Sequence, residues 1–205
     1  MITAADTAVM PFVGAVVANT DGFPANVTNV EISGTGITAG CTGGLMGILL
    51  DHATGTINNV NVHGIRRGPN SGCQEGNAVV VRNLNPDNTP ASQAFAVTIT
   101  NNTVSDYQKN GITIKGGVSG TVTGNIVTAN GQITYIAQNG IQVSFGATAL
   151  VESNTISDNF YLPKSWDACG LLIYHADGVK VGKNAFSGNE KNLCNTARGG
   201  TFSGL

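Results

Sequence analysis

Short apolar runs punctuated by glycine and asparagine recur along the chain. Four of them superpose directly: GILL at 47, GITI at 111, GIQV at 140 and GLLI at 170. AVVV at 78 is a fifth variant, and GAVV at 14 a weaker sixth. Alternate residues point to opposite sides of a strand, so Ile112 and Ile114, or Ile141 and Val143, face one way and the residue between them the other. Two further short strands follow each run and share the form V-x-x-N-x-V. Ile99, Asn102 and Val104 fit it, as do Val122, Asn125 and Val127; Val151, Asn154 and Ile156; and Val181, Asn184 and Phe186. Two earlier copies put an apolar residue in the Asn slot: Val27, Val30, Ile32 and Ile57, Val60, Val62. The slot falls at 30, 60, 102, 125, 154 and 184, at intervals of 30, 42, 23, 29 and 30 residues. The shortest interval is a bare coil, and the longest carries the Pro/Asn-rich insertion from Asn85 to Pro90.

A unit of three short strands cannot bury its inward side chains alone, whereas coiling such units on one another makes a continuous core. Glycine before the first strand and asparagine after the second suit turns that need a positive φ. Stacked Asn side chains at one turn can hydrogen-bond along the stack. The Gly and Asn density leaves no sustained 3.6-residue period for an amphipathic helix. A propeller or sandwich is the competing architecture, but two-residue hairpin turns are scarce. Through GITIKGGVSGTVTGNIVTANG and GIQVSFGATALVESNTISDN, the chain resembles the right-handed parallel β-helix repeat proteins of the pectate-lyase-like superfamily, over roughly residues 12 to 190. The resemblance implies an all-β, right-handed parallel β-helix of about six coils, with an Asn ladder, loop insertions on one edge and a short C-terminal cap, forming one domain over 1–205. With coils about 4.8 Å apart, six span about 29 Å. It looks closest to secreted bacterial proteins of this kind, and the scaffold hosts many functions, so it does not fix an activity.

Composition narrows the classes further. Charged residues are only 11% of the 205, while 28 Gly, 23 Asn and 22 Thr accompany 41% hydrophobic residues. Disordered chains are the reverse, rich in charge and poor in apolar residues. A net charge of −2 lacks the basic footprint of a nucleic-acid partner. No apolar run is long enough to span a membrane. Cysteines at 41, 73, 169 and 194 fit no zinc spacing. They read either as two local disulfides, Cys41 with Cys73 and Cys169 with Cys194, or as four buried free thiols. Disulfides would place the protein outside the cell or on its surface. The start of the chain carries no signal-peptide pattern. Val13 to Val17 reads as a strand with nothing covering it, which leaves an open coil end suited to self-association or to a missing preceding segment.

Candidate chemistry gathers in the loops. Tyr107, Tyr135, Tyr161 and Trp166 all lie between a third strand and the next first strand, and Tyr174 lies on the outward face of a first strand. Rings collected on one wet edge suit stacking on sugars or a protein interface; equally, they could simply pack over Gly-rich turns. Gln108, Lys109 and Gln138 belong to the same loops, in DYQKNGI and IAQNGI. The fifth position of successive first strands gives an outward row of Asp51, Arg82, Lys115, Ser144 and Tyr174. A lysine flanked in this way can serve as a general base, so a lyase reading would use Lys115 or Arg82 as base; the plain reading is a surface ion-pair ladder. Asp106 and Asp158 occupy matching turn positions about 10 Å apart, wide for a hydrolase pair and equally suited to stabilising turns. The family analogy would admit Ca²⁺, yet there is no dense acidic cluster to hold it, so no cofactor is expected. The Asp-Pro-His-Glu element of related C5-epimerases and the Asn-Thr-Asp, Asp-Asp and Gly-His-Gly elements of polygalacturonase-like hydrolases are missing. His52, His63 and His175 have no partner at metal-ligand spacing, and His52 and His175 read as turn residues. Two functions follow: binding or processing of a polysaccharide along the aromatic loop edge, or a non-enzymatic structural, adhesion or assembly module. Ice binding would need a regular Thr face, which Glu152 and Lys180 interrupt.

Overall fold

The computed structural model describes residues 2–3, 13–34, 41, 44–68 and 71–196. Every paired strand is parallel to its neighbour, and three sheets run side by side. The first contains Val13–Asn19, Leu45–Asp51, Asn77–Asn83, Asn110–Gly116, Asn139–Ser144, Cys169–Tyr174 and Lys191–Asn195. The second contains Pro24–Thr28, Thr54–Asn58, Phe95–Thr100, Val118–Thr123, Thr148–Glu152 and Gly178–Val181. The third contains Ile2–Thr3, Glu31–Ser33, Asn61–His63, Thr103–Ser105, Ile126–Ile133, Thr155–Tyr161 and Ala185–Ser187. The chain therefore visits the sheets in rotation, as a solenoid must. The six strands of the second sheet are separated by five steps, so the solenoid makes about five full turns between Pro24 and Val181, slightly fewer than the six coils expected. No helix occurs among the described residues.

The register matches the period-2 reading. Ile48, Val79, Ile112, Ile141 and Leu171 stack in one row, with Leu50, Val81, Ile114, Val143 and Ile173 in the next. All ten are buried at 0 or 1% exposure, in one continuous core. The weakest repeat is displaced by one residue: Val16 pairs with Ile48 and Ala18 with Leu50, and both pack against the core. A one-residue slip exchanges the faces of a strand, and Gly14-Ala15-Val16-Val17-Ala18 is apolar enough to permit either phase.

The Asn slot is a buried ladder. Asn102, Asn125 and Asn154 are each 1% exposed. The Asn125 side-chain oxygen accepts from Asn102 N at 3.0 Å and Asn102 Nδ2 at 2.9 Å, and its amide donates to Ile99 O and to Asn154 Oδ1, each at 2.9 Å. Asn184 repeats this toward Asn154. At the other end Val60 N donates to Asn102 Oδ1 at 2.9 Å, so the apolar slot residue closes the ladder. The left-handed residue is the one before the slot: Asn29, Asn59 and Asn101 at φ 56, 53 and 57, Gly124 and Ser153. The glycines opening the first strands are required for a different reason than turn conformation. A Cβ on Gly47, Gly111 or Gly140 would lie 2.6 Å from the carbonyl oxygen of the adjacent coil.

A second ladder, unpredicted, links the starts of first strands: Asn139 Nδ2 donates to Asn110 Oδ1 at 2.9 Å, and Asn110 Nδ2 to Asn77 Oδ1 at 2.8 Å. Both disulfides form, Cys41–Cys73 with Cα atoms 5.3 Å apart and Cys169–Cys194 with 5.9 Å. Cys194 lies within the seventh strand of the first sheet, where Leu172 pairs with it, and so extends the sheet instead of closing a separate cap. At the opposite end, Val13–Asn19 pairs only with Leu45–Asp51 among the described residues, while Ile2–Thr3 extends the third sheet by pairing with Ile32 and Ser33.

Candidate functional site

The turns that lead into successive first strands stack on one another. On the outside of this corner, at the C-terminal coils, lies a groove of about 510 Å³. Leu172, Tyr174 and the Cys169–Cys194 disulfide form its sheet side, and Lys109, Trp166 and Asp167 come from the loops. The loop between Tyr161 and Ala168 shows its apolar side chains to solvent: Trp166 is 75% exposed and Leu162 45%. Contiguous apolar surface beside a cleft marks a ligand-binding surface. Asp167 is held by Lys191 at 2.7 Å, with both side chains about half exposed. Lys109 Nζ donates to Ala137 O at 2.8 Å, and burial of the amine lowers its pKa from the usual lysine value.

Lys109, Trp166 and Tyr174 thus line one groove, but the continuous aromatic rim does not form. Tyr107 is wholly buried, its hydroxyl donating to Asn159 Oδ1 at 2.7 Å. Burial pushes its phenol far above the usual value, with the Asn159 bond opposing. Gln108 and Gln138 are adjacent, as the repeated motif implied, yet both are buried. Gln138 Nε2 donates to Tyr107 O and to Gln108 O, while Gln108 Oε1 accepts from Arg67 N at 2.8 Å. They brace the turn backbone and are unavailable to a ligand. Tyr135 and Tyr161 are half-buried and do not line the groove. Phe145 is 42% exposed and meets the Tyr174 ring edge-on at 5.4 Å. Sequence position in a loop could not separate these fates. Whether a loop ring folds under or hangs out depends on the neighbouring coil.

The outward row is correct in register: Asp51 pairs with Arg82, Arg82 with Lys115, Lys115 with Ser144 and Ser144 with Tyr174. Its charges do not form one ladder. Arg82 donates through Nε and Nη2 to Asp51 Oδ2 at 2.9 and 2.6 Å. Lys115 lies beyond that pair, and burial, reinforced by Arg82 and opposed by Asp51, lowers its pKa. Asp106 does not join them. It sits in the turn after Thr103–Ser105 at φ 48, bonded to Arg66 Nε at 2.7 Å and Asn130 Nδ2 at 3.1 Å, which is the turn-stabilising role. Asp158, at φ 63, occupies the matching turn.

Two features escaped the sequence reading. Arg67 and Glu75 form a buried ion pair at 2.6 Å, with Glu75 also accepting from Leu45 N at 3.0 Å. Their spacing gives no local signal, because the partners meet only across a turn. The second is the approach of His52 to Asp51, whose Oδ1 lies 2.8 Å from His52 Nδ1. Among the described residues no three His, Cys, Asp or Glu side chains converge.

No curated protein and no solved structure matches the chain. The model of the right-handed β-helix region matches residues 13–203. With parallel strands in three sheets, a buried Asn ladder and this match over most of its length, the chain belongs to the right-handed β-helix family.

Proposed function

We propose that the protein is an extracellular β-helix that binds a polysaccharide in the groove beside Trp166. The exposed Trp166 carries this reading: it stands at the wall of an open cleft that mixes apolar surface with polar groups, Lys109, Asp167, Gln74, Asn139 and Thr196. Pyranose rings present flat C–H faces that stack on indole, while their hydroxyls take hydrogen bonds from a few placed polar groups. Two disulfides suit an oxidising compartment. Glycoside hydrolysis uses a facing pair of carboxyl groups, and Asp167 is the single carboxylate lining this groove, already committed to Lys191. The reading is therefore one of binding along the groove.

Trp166 is the only tryptophan, so its fluorescence reports on the groove alone. Titration with a panel of neutral and charged polysaccharides is expected to give a saturable blue shift with at least one of them. Trp166→Ala is expected to abolish retention on that polysaccharide, a loss of at least tenfold in affinity. A flat titration across the panel, or retention unchanged in Trp166→Ala, removes the proposal.

A further inference from the structure

We propose that the cavity beneath the Leu84–Pro90 loop is a separate esterolytic site, in which His52 is the general base for water attacking an acyl ester. The cavity measures about 290 Å³ and is lined by Asp51, His52, Arg82, Asn85 and Asn88, with Leu84 and Pro86. Asp51 is the organising residue. It is 5% exposed although it belongs to the outward row. Its Oδ2 takes both Arg82 bonds, and its Oδ1 lies 2.8 Å from His52 Nδ1. The negative charge beside Nδ1 favours the tautomer with the proton on that nitrogen, which leaves the Nε2 lone pair to accept a proton. His52 is held in the left-handed turn at φ 54, and its backbone N donates to Arg82 O at 3.0 Å, which anchors the residue at the cavity.

The far wall needs no ligand to form. Asn85 N donates to Thr89 O at 2.9 Å, Asn85 Nδ2 to Thr89 Oγ1 at 3.0 Å and to Pro90 O at 3.1 Å, and Leu84 bridges Pro90. This is the insertion that makes the 42-residue interval. The shortest interval shows that a coil is complete without it. No serine, threonine or cysteine lines the cavity, so the nucleophile is water. His52 Nε2 takes a proton from that water as its oxygen bonds to the acyl carbon. The Arg82 guanidinium charge and the Asn88 amide stabilise the negative charge that develops on the acyl oxygen. As the C–O bond to the alcohol breaks, the imidazolium returns the proton to the departing oxygen. Ester and water become alcohol and carboxylic acid, with no redox change and no co-reactant.

The test is multiple-turnover hydrolysis of 4-nitrophenyl acetate by the intact protein. Release above the buffer rate is expected. His52→Asn keeps the left-handed backbone, since asparagine adopts it elsewhere in this chain, at Asn59 and Asn101 with φ 53 and 57, and is expected to lose about 100-fold. Asp51→Asn is expected to slow release and displace the pH profile, the mark of a positioning residue. Release no faster than buffer overturns the proposal, as does His52→Asn with unchanged turnover and an unchanged circular dichroism spectrum. Neither outcome touches the groove at Trp166, which shares no lining residue with this cavity.

Discussion

Asn125→Ala is a direct test of what holds the coils in register. In the intact ladder Asn125 Oδ1 receives two bonds from Asn102, and its amide gives one to Ile99 O and one to Asn154 Oδ1. Some partners have alternatives once the side chain is gone. Asn102 Nδ2 still reaches Ile57 O at 3.0 Å, and Asn154 Oδ1 still accepts from Asn125 N at 3.0 Å. Asn102 N does not: its bond runs to the Asn125 side chain, in a position that is buried. An orphaned buried donor costs about 1–3 kcal/mol, and each other lost bond about 0.5–1.5 kcal/mol net. The expected loss is therefore about 3–4 kcal/mol, which for a chain of this size is a fall of about 10 °C in melting temperature. Asn184→Ala at the partly buried end of the ladder orphans the same kind of group at Asn154 N, but where water has access, so about half that loss is expected. Guanidinium unfolding of the oxidised protein measures both. A cost below about 1 kcal/mol for Asn125→Ala, or one no larger than for Asn184→Ala, would refute the claim that buried side-chain bonding fixes the stack.

Lys115→Met removes a half-buried amine whose pKa is lowered by burial and by Arg82. The folded protein then binds fewer protons at this site than the unfolded chain, so its stability rises with pH between the depressed value and the ordinary 10.5, and the charge is a liability below that window. Denaturation from pH 7 to 10 is expected to show the variant at least as stable as the parent at pH 7, with the difference shrinking as pH rises; a large loss at pH 7 contradicts this. If Lys115 is the base of a lyase, the same variant loses unsaturated-product formation, read by ultraviolet absorbance. Replacing Cys169 and Cys194 together by Ser opens a link across 25 residues, with an expected loss of about 3 kcal/mol. Because that disulfide lines the Trp166 groove, the double variant should also bind polysaccharide more weakly at temperatures where it stays folded, by the same fluorescence titration.

The sequence alone determined the solenoid. Inward rows, the Asn ladder and the outward row follow from repetition, because a residue that recurs at the same phase of every coil must meet its own copies. Where a copy was degenerate, as at Gly14 to Ala18, the phase was lost with it. Tertiary structure alone decided which non-repeating residues face water. Tyr107 and Trp166 both sit in loops before a first strand, yet one finds Asn159 two coils on and is buried, while the other has no such partner and is exposed. The Arg67–Glu75 pair likewise depends on two side chains meeting across one turn, and the Asp51–His52–Arg82 cluster on Arg82 reaching Asp51 from the adjacent coil. Periodicity specifies a backbone that every coil shares. The chemistry of a site is set by the residues in which one coil differs from the next.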